Sequence, residues 1–168
     1  MIADILYDLN YFVDGRGYAG RVKEVKLPVI KPKVMSYNAG GMAAEVDVPM
    51  GRFEKLEAEA ALMCFDESVL KTMRILPGSQ FAHTVRGAMV SDDGTKKPVV
   101  VSMRGILLEA DMGTWKPGEE MPVNLKMSLR YYKLQISGNV IYEIDPVNYI
   151  AVIDGVDQLE TTRQHLAI

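Results

Sequence analysis

The chain of 168 residues contains one cysteine, two histidines and one tryptophan. A single cysteine, Cys64, excludes an internal disulfide, and its place in an apolar alternation predicts a small core residue. Cys64, His83 and His165 are too scattered along the sequence to show metal-ligand spacing, so we predict neither a metal nor another cofactor. The sequence contains no G-x-S-x-G, H-E-x-x-H, C-x-x-C or Walker motif, and these absences argue against an enzyme.

Acidic and basic residues are mixed along the chain and leave a net charge of −3. A nucleic-acid-binding surface would be basic and clustered, so the charge pattern argues against that class of protein. The N-terminus lacks a basic-then-apolar signal pattern, and no apolar run approaches the length of a membrane span. We therefore expect one soluble domain over residues 1–168, made in the cytoplasm and without a membrane anchor.

The most regular pattern in the sequence lies at residues 124–145. Apolar and polar residues alternate there with a period of two, which predicts a strand. The apolar phase moves by one residue at Tyr131–Tyr132, and such a slip fits a β-bulge or a sharp bend. Ser137-Gly138-Asn139 then predicts a tight turn into a second strand. The pattern predicts a long, bent hairpin.

The remaining sequence predicts further short strands and two helices. Asp14-Gly15 predicts an N-terminal hairpin whose second strand ends at Pro28. A short helix is expected between Asp66 and Pro77-Gly78, and a weaker one, with a capping-box spacing, at Gln158–Leu166. With about eight strands, the predicted fold is mainly β: an antiparallel β sandwich or partial barrel with one or two short helices.

Residues 28–51 are the least regular part of the sequence. Prolines and glycines punctuate this segment, and apolar residues are spread through it. Structureless segments of this length are uncommon in a compact domain and usually serve a function. Two interpretations remain open at this point. The segment is either an apolar arm that docks on a neighbouring subunit or an irregular hairpin folded back on its own domain.

Motifs over nearly the whole chain, taken in their order and spacing, carry a resemblance to a known family. They are Leu9–Gly15 with Tyr18–Gly20, Leu27-Pro28, Tyr37–Met42, Met50-Gly51, Met103–Gly105, Glu109–Gly113 with Lys116–Glu119, Tyr131–Leu134, Tyr142–Asn148 and Asp154–Glu160. The chain resembles the major tail tube protein of contractile phage tails and R-type bacteriocins. The match is looser between Phe53 and Gln80.

The resemblance implies a fold that completes a large β-barrel in a ring of six copies, with rings stacked into a tube inside a contractile sheath. The tube would be the channel for DNA passage or membrane puncture. The implied partners are further copies of the chain, the tail sheath protein, the baseplate hub or initiator, the tape measure protein and the tail terminator. DNA would be a transient, non-specific cargo. The implied location is a virion tail or phage-tail-like particle, assembled in the cytoplasm of the bacterial host.

On this interpretation the arm at 28–51 protrudes and clamps neighbouring subunits or rings, with Met42 and Met50 packed between subunits. The candidate contact residues are Val34, Met35, Tyr37, Gly40, Gly41, Met42, Val48 and Met50. A basic channel would grip phosphate strongly, so we expect an acidic channel surface. The candidate channel-facing residues are Glu45, Asp47, Glu57 and Glu59.

Three alternatives remain from the sequence. The nearest is the tube of a type VI secretion system or an extracellular contractile injection system, which would share the fold and carry protein instead of DNA. The second is a monomeric β-barrel binding module whose ligand site lies at Trp115 and its acidic neighbours. An enzyme is the weakest alternative, since no catalytic constellation supports it.

Overall fold

The structure is a computed structural model that describes residues 3–168. Within this range, twelve strands and two short helices follow one another along the chain. In order they are β1 (Ile5–Val13), β2 (Arg16–Gly17), β3 (Val22–Lys26), β4 (Pro32–Tyr37), β5 (Val46–Phe53), β6 (Glu57–Leu62), α1 (Glu67–Leu70), β7 (Phe81–Val90), β8 (Lys96–Asp111), β9 (Val123–Ile136), β10 (Asn139–Asp145), β11 (Ile150–Ile153), β12 (Val156–Asp157) and α2 (Glu160–Leu166). All strand pairings are antiparallel, as predicted.

Ten of these strands form one sheet that branches at β9. One edge of β9 pairs with β8. The other edge is shared by β6, along residues 123–128, and by β10, along residues 132–136. The sheet therefore has two sections. We call β3-β6-β9-β8 the four-stranded section, and β12-β11-β10-β9-β8-β7-β1-β2 the long section.

The two sections meet where β8 and β9 bend. Arg104 pairs with Tyr131 and Gly105 pairs with Leu129, so Arg130 is the extra residue of a β-bulge. The bulge confirms the predicted slip of phase and lies one residue earlier. It lets the apolar side chains of both halves of β9 face the same core. The predicted turn is also confirmed: Ser137 and Gly138 have φ of 49° and 83°, as a two-residue hairpin turn requires.

The core lies between the two sections. Leu125 and Met127 on the four-stranded section, and Tyr11 and Met103 on the long section, belong to one buried cluster. The Tyr11 hydroxyl lies 3.6 Å from the Met127 sulfur and so joins strands 116 residues apart in sequence. Burial of these side chains stabilises each section only when the other is present, because neither covers its own apolar face.

Gly105 permits the close approach of β8 and β9 at the bend. A Cβ atom there would lie 2.1 Å from the Ser128 carbonyl oxygen and 2.9 Å from the Leu129 Cα. These are backbone atoms, so no rotamer change relieves the clash. We expect Gly105→Ala to lower the free energy of unfolding by about 3 kcal/mol, at the upper end of overpacking costs, measured by urea denaturation.

Gly87→Ala serves as the matched control, because a Cβ at Gly87 meets the flexible end of the Leu6 side chain at 2.9 Å. We expect a markedly smaller change in the urea midpoint there. Equal midpoints for the two variants would contradict the role given to the bend.

The predicted N-terminal hairpin is wrong beyond its turn. After Asp14-Gly15 only two residue pairs form between β1 and β2. Most of β1 pairs with β7, and β3 pairs with β6. The turn signal was local, whereas these strand partners lie far away in the sequence and offer apolar surface that a two-stranded hairpin lacks.

Both helices differ from their predicted form. Asp66 caps α1 as predicted, accepting hydrogen bonds from the Ser68 and Val69 amides, but the helix ends at Leu70. Val69 is buried and Leu70 and Met73 pack against the core, whereas Leu76 lies beyond the end of the helix and is 76% exposed, so the helix is shorter than predicted. In α2 the predicted capping box does not form, and no side chain of the helix is buried. Among residues 3–168, no helix has the length and apolar character needed to cross a membrane.

Candidate assembly surfaces

Strands β4 and β5 form a separate two-stranded sheet, which we call the arm. Met35 pairs with Val48 and Tyr37 pairs with Val46, and directly paired residues share one face. Alternation along β5 places Met50 on that face as well. We call these five residues the apolar arm face. Their exposed fractions lie between 40% and 49%, so the chain leaves this face open.

The opposite face of the arm is mixed in polarity. It carries the pairs Val34–Pro49 and Ser36–Asp47. The Ser36 hydroxyl lies 3.3 Å from a carboxylate oxygen of Asp47. Contiguous exposed apolar surface marks interaction sites, and only one face of the arm has it. The arm is thus an ordered hairpin with one face suited to docking.

The candidate contact residues divide between these two faces and the turn. Met35, Tyr37, Val48 and Met50 come together on the apolar arm face, and Val34 lies on the other face. Three more candidates, Gly40, Gly41 and Met42, lie in the connection between β4 and β5. Sequence reasoning missed Val46, although its alternation with Val48 and Met50 was a usable signal.

The four-stranded section has two unpaired edges. Strand β3 pairs with β6 on one side, and no strand among residues 3–168 pairs with its other side. Strand β8 pairs with β7 only as far as Gly105. Beyond that point, residues 106–111 pair with β9 and with no other strand of the described range. Such edges present unpaired backbone N–H and C=O groups that favour pairing with another chain.

The face of this section that points away from the core is polar. Lys26, Glu59, Lys126 and Glu109 lie side by side across its four strands. Glu57 is on the same face, and its carboxylate accepts a hydrogen bond from the Lys55 ammonium group at 2.8 Å. The Lys126 ammonium group lies 3.6 Å from the other carboxylate oxygen of Glu57. The hydrogen bond from Lys55 lowers the pKa of Glu57 and so favours its charged form.

The candidate channel residues are not brought together. Glu57 and Glu59 lie on this polar face, whereas Asp47 lies on the arm and Glu45 in the connection before β5. Strand pairing adds carboxylates that sequence reasoning missed. The acidic residues of the face are Glu24, Glu57, Glu59, Glu109 and Asp111, and its lysines are Lys26 and Lys126. The face is therefore net acidic.

Trp115 belongs to a second exposed apolar surface. Its ring packs edge-on against Phe65 with a centroid distance of 5.5 Å, and its indole N–H donates to the Met112 carbonyl at 3.3 Å. Phe65 comes shortly after β6, and Trp115 lies in the connection between β8 and β9. Both rings therefore lie at the end of the four-stranded section where Leu62 pairs with Val123. The arm joins the section at the opposite end, between β3 and β6.

The geometry offers no candidate metal centre in the part of the chain that the structure describes. There, no group of three or more His, Cys, Asp or Glu side chains is placed to hold an ion. His83 is 1% exposed and lies in the core, where its Nδ1 is 2.8 Å from the Tyr11 hydroxyl. What the surface does offer is two free edges on the four-stranded section and one apolar arm face, which are features of a self-associating structural subunit.

Sequence comparison agrees with that class. The family model for phage tail tube protein FII matches residues 3–166. The chain is 32% identical over 164 residues to the tail tube protein of Escherichia phage P2, covering 95% of each protein. It is 28% identical over 147 residues to the major tail tube protein of Serratia phage KSP20, covering 86% of this chain and 84% of that one. The chain belongs to the phage tail tube protein family, which confirms the predicted resemblance.

Comparison with solved structures supports the fold. A chain of the PVC sheath/tube terminator, from an extracellular contractile injection system, matches with a TM-score of 0.59 over 80% of this chain and 98% of that chain, at 11% identity. A chain of the PVC sheath-tube complex matches with a TM-score of 0.56 over 77% and 88%, at 12% identity. The predicted mainly β fold with short helices is confirmed.

Proposed function

We propose that this tail tube protein is the subunit of the inner tube of a contractile phage tail or phage-tail-like particle, in which six copies form each ring. The observation that carries the proposal is the pair of free edges on opposite sides of the four-stranded section. The proposed role of the protein is structural, and this role requires no catalytic residue, metal or other cofactor.

Ring closure follows from strand direction. Strands β3 and β9 run one way and β6 and β8 the other, because each neighbouring pair is antiparallel. Strand β3 of a second copy, placed against residues 106–111 of β8, therefore continues the antiparallel order. Repeating this head-to-tail contact closes a barrel with four strands from each copy, and closure removes both free edges.

Stacking of rings follows from the two ends of the section. The arm leaves one end, and the Phe65–Trp115 surface lies at the other. A head-to-tail stack brings the arm of one ring toward the Trp115 end of the next. The apolar arm face then leaves water, and its burial stabilises the tube. The arm at 28–51 thus acts as the clamp between subunits and rings.

The polar face of the four-stranded section lines the channel in this arrangement. Its carboxylates, with Glu57 and Glu59 among them, give the channel an acidic surface over which DNA slides without being gripped. We expect tubes of Glu59→Lys to retain more short duplex DNA in a form protected from nuclease than wild-type tubes do, because four carboxylates and three lysines on the face repel phosphate less than five carboxylates and two lysines. Wild-type tubes should retain almost none at physiological salt.

The control is Glu160→Lys, which makes the same charge change on the exposed surface helix α2. Nuclease-protected DNA should stay at the wild-type level in these tubes. Protection by both variants, or by neither, would contradict the placement of Glu59 in the channel.

The proposed partners are further copies of the chain, the tail sheath protein, the baseplate hub or initiator, the tape measure protein and the tail terminator, with DNA as a transient cargo. Assembly takes place in the cytoplasm of the bacterial host. The 32% identity to the phage P2 protein favours a phage-type tail. The likeness of fold to injection-system chains keeps a protein-carrying tube as the second candidate.

Negative-stain electron microscopy across a concentration series, with sedimentation velocity alongside, tests the proposal. Sixfold rings or hollow tubes are expected, on their own or once the matching baseplate hub is added as a nucleus. A folded monomer that stays monomeric with the hub present would overturn the proposal.

A further inference from the structure

We propose that opposite charges on the two free edges of the four-stranded section select which edges join when copies of this chain associate. The inference rests on the proposed ring, and it identifies the device that makes β3 of one copy pair with β8 of the next. The partner surface is therefore a second copy of the same chain, recognised by charge at a sheet edge.

The β3 edge is basic. Arg21, Lys23 and Lys26 contribute three cations there, against the single carboxylate of Glu24. Lys23, Glu24 and Lys26 are exposed, and none of the three has an ion-pair partner within residues 3–168. Arg21 lies 3.9 Å from Asp66, at the outer limit of an ion pair. The edge thus presents a net positive charge to an approaching chain.

The β8 edge is acidic. Residues 106–111 contain two carboxylates, Glu109 and Asp111, and no basic residue. Both side chains are exposed. Asp111 accepts a hydrogen bond from the Gly113 amide at 2.9 Å. Lys126, which is paired with Glu109 in the sheet, directs its ammonium group to Glu57 at 3.6 Å. Glu109 is therefore available to a neighbouring copy.

These charges distinguish three ways of joining free edges. Pairing β3 with β3, or β8 with β8, would form a closed two-fold dimer and bring like charges together. Pairing β3 with β8 brings opposite charges together and leaves one free edge at each end, so that the contact repeats and closes as a ring. Like charge at an edge is a known means of preventing wrong strand pairing. The attraction depends on the net charge of each edge, so it does not require a particular register between β3 and β8.

Two complementary variants test the proposal. The first, Lys23→Glu with Lys26→Glu, makes both edges acidic. The second, Glu109→Lys with Asp111→Asn, makes both edges basic and keeps an oxygen for the Gly113 amide. We expect each variant alone to need about a tenfold higher concentration for half-assembly, since every β3–β8 contact becomes repulsive.

An equimolar mixture of the two variants should recover assembly. Each acidic β8 then meets a basic β3, each basic β8 meets an acidic β3, and an even number of copies closes with the two variants in alternation. The control, Lys71→Glu with Lys96→Glu, makes the same charge change as the first variant at exposed positions away from both edges. It should assemble as the wild type does. Circular dichroism and thermal unfolding establish that every variant is folded.

Assembly should also slow as salt rises from about 50 to about 500 mM, because exposed charges are screened over that range. The proposal is overturned if either variant alone assembles as the wild type does, or if the mixture stays monomeric while both variants are folded. In those cases wild-type rings still stand, and only the charge mechanism fails. A wild type that forms no ring even on its nucleus overturns the proposed function and this inference together.

Discussion

Val48→Asp is expected to abolish tube assembly while leaving the free subunit folded. Val48 lies in the middle of the apolar arm face, paired with Met35 across the hairpin. It is 40% exposed in the subunit, so a carboxylate there remains hydrated before assembly. In the assembled tube the same carboxylate would be buried without a partner, which costs several kcal/mol for each copy. Electron microscopy and sedimentation measure assembly, and urea denaturation measures the stability of the subunit.

Val34→Asp is the matched control. Val34 lies on the same hairpin with the same 40% exposure, but on the opposite face, paired with Pro49. We expect this variant to assemble nearly as the wild type does. Equal loss of assembly in both variants would contradict docking through one face, and normal assembly of Val48→Asp would remove the arm from the contact.

The bent hairpin of β9 and β10 could be predicted from the sequence because its determinants are local. A period of two, one slip of phase and the turn residues Ser137-Gly138 lie within 22 residues of sequence. The slip is visible because the core accepts apolar side chains from both halves of β9, and the bulge at Arg130 keeps them on one face. Where packing and local pattern agree, the pattern is sufficient.

The arm shows the limit of local reasoning. Its apolar residues were evident, and the two interpretations of residues 28–51 could not be separated by pattern. The apolar arm face depends on the pairing of β4 with β5, which puts Val34 and Val48 on opposite sides. Prolines at 32 and 49 obscured the strands in the sequence, because proline is usually a signal against a strand.

The free edges could not be predicted from the sequence for a different reason. An edge is defined by which strand is absent beside it, so it depends on every pairing in the sheet. Once β1 was assigned to a hairpin with β3, the basic edge at Lys23 and Lys26 could not be recognised. The structure pairs β1 with β7 and β3 with β6, and thereby exposes that edge. The family itself was identified from the order of motifs and not from packing.

Acidification is expected to destabilise the subunit through His83. The side chain is 1% exposed, and burial lowers its pKa from the ordinary 6.5 to about 4, with Asp14 opposing the shift. Its Nε2 atom has no hydrogen-bond partner in the range 3–168, so an added proton would be neither solvated nor paired. Above pH 6.5 both folded and unfolded chains hold His83 neutral, and the full stability is present.

Below pH 6.5 His83 is protonated in the unfolded chain and stays neutral in the folded chain. The free energy of unfolding therefore falls as the pH falls toward the pKa of His83 in the folded protein. The loss is about 1.4 kcal/mol per pH unit and roughly 3 kcal/mol in all. Urea denaturation between pH 7.5 and 4.5 measures it. The carboxylates of Asp93 and Asp157, whose pKa values are lowered from 3.8, lose their contribution below about pH 4 and stay outside this range.

His83→Leu separates this residue from the other titrating groups. The variant removes the titration, so its free energy of unfolding should depend much less on pH over the same range, whatever its stability at pH 7.5. His165→Leu, at an exposed position on α2, is the matched histidine-to-leucine control. Measurement in the Val48→Asp background holds all samples in the unassembled state. An unchanged slope in His83→Leu would show that the folded core accepts the proton, and that the unpartnered Nε2 finds water or a carboxylate when the protein is acidified.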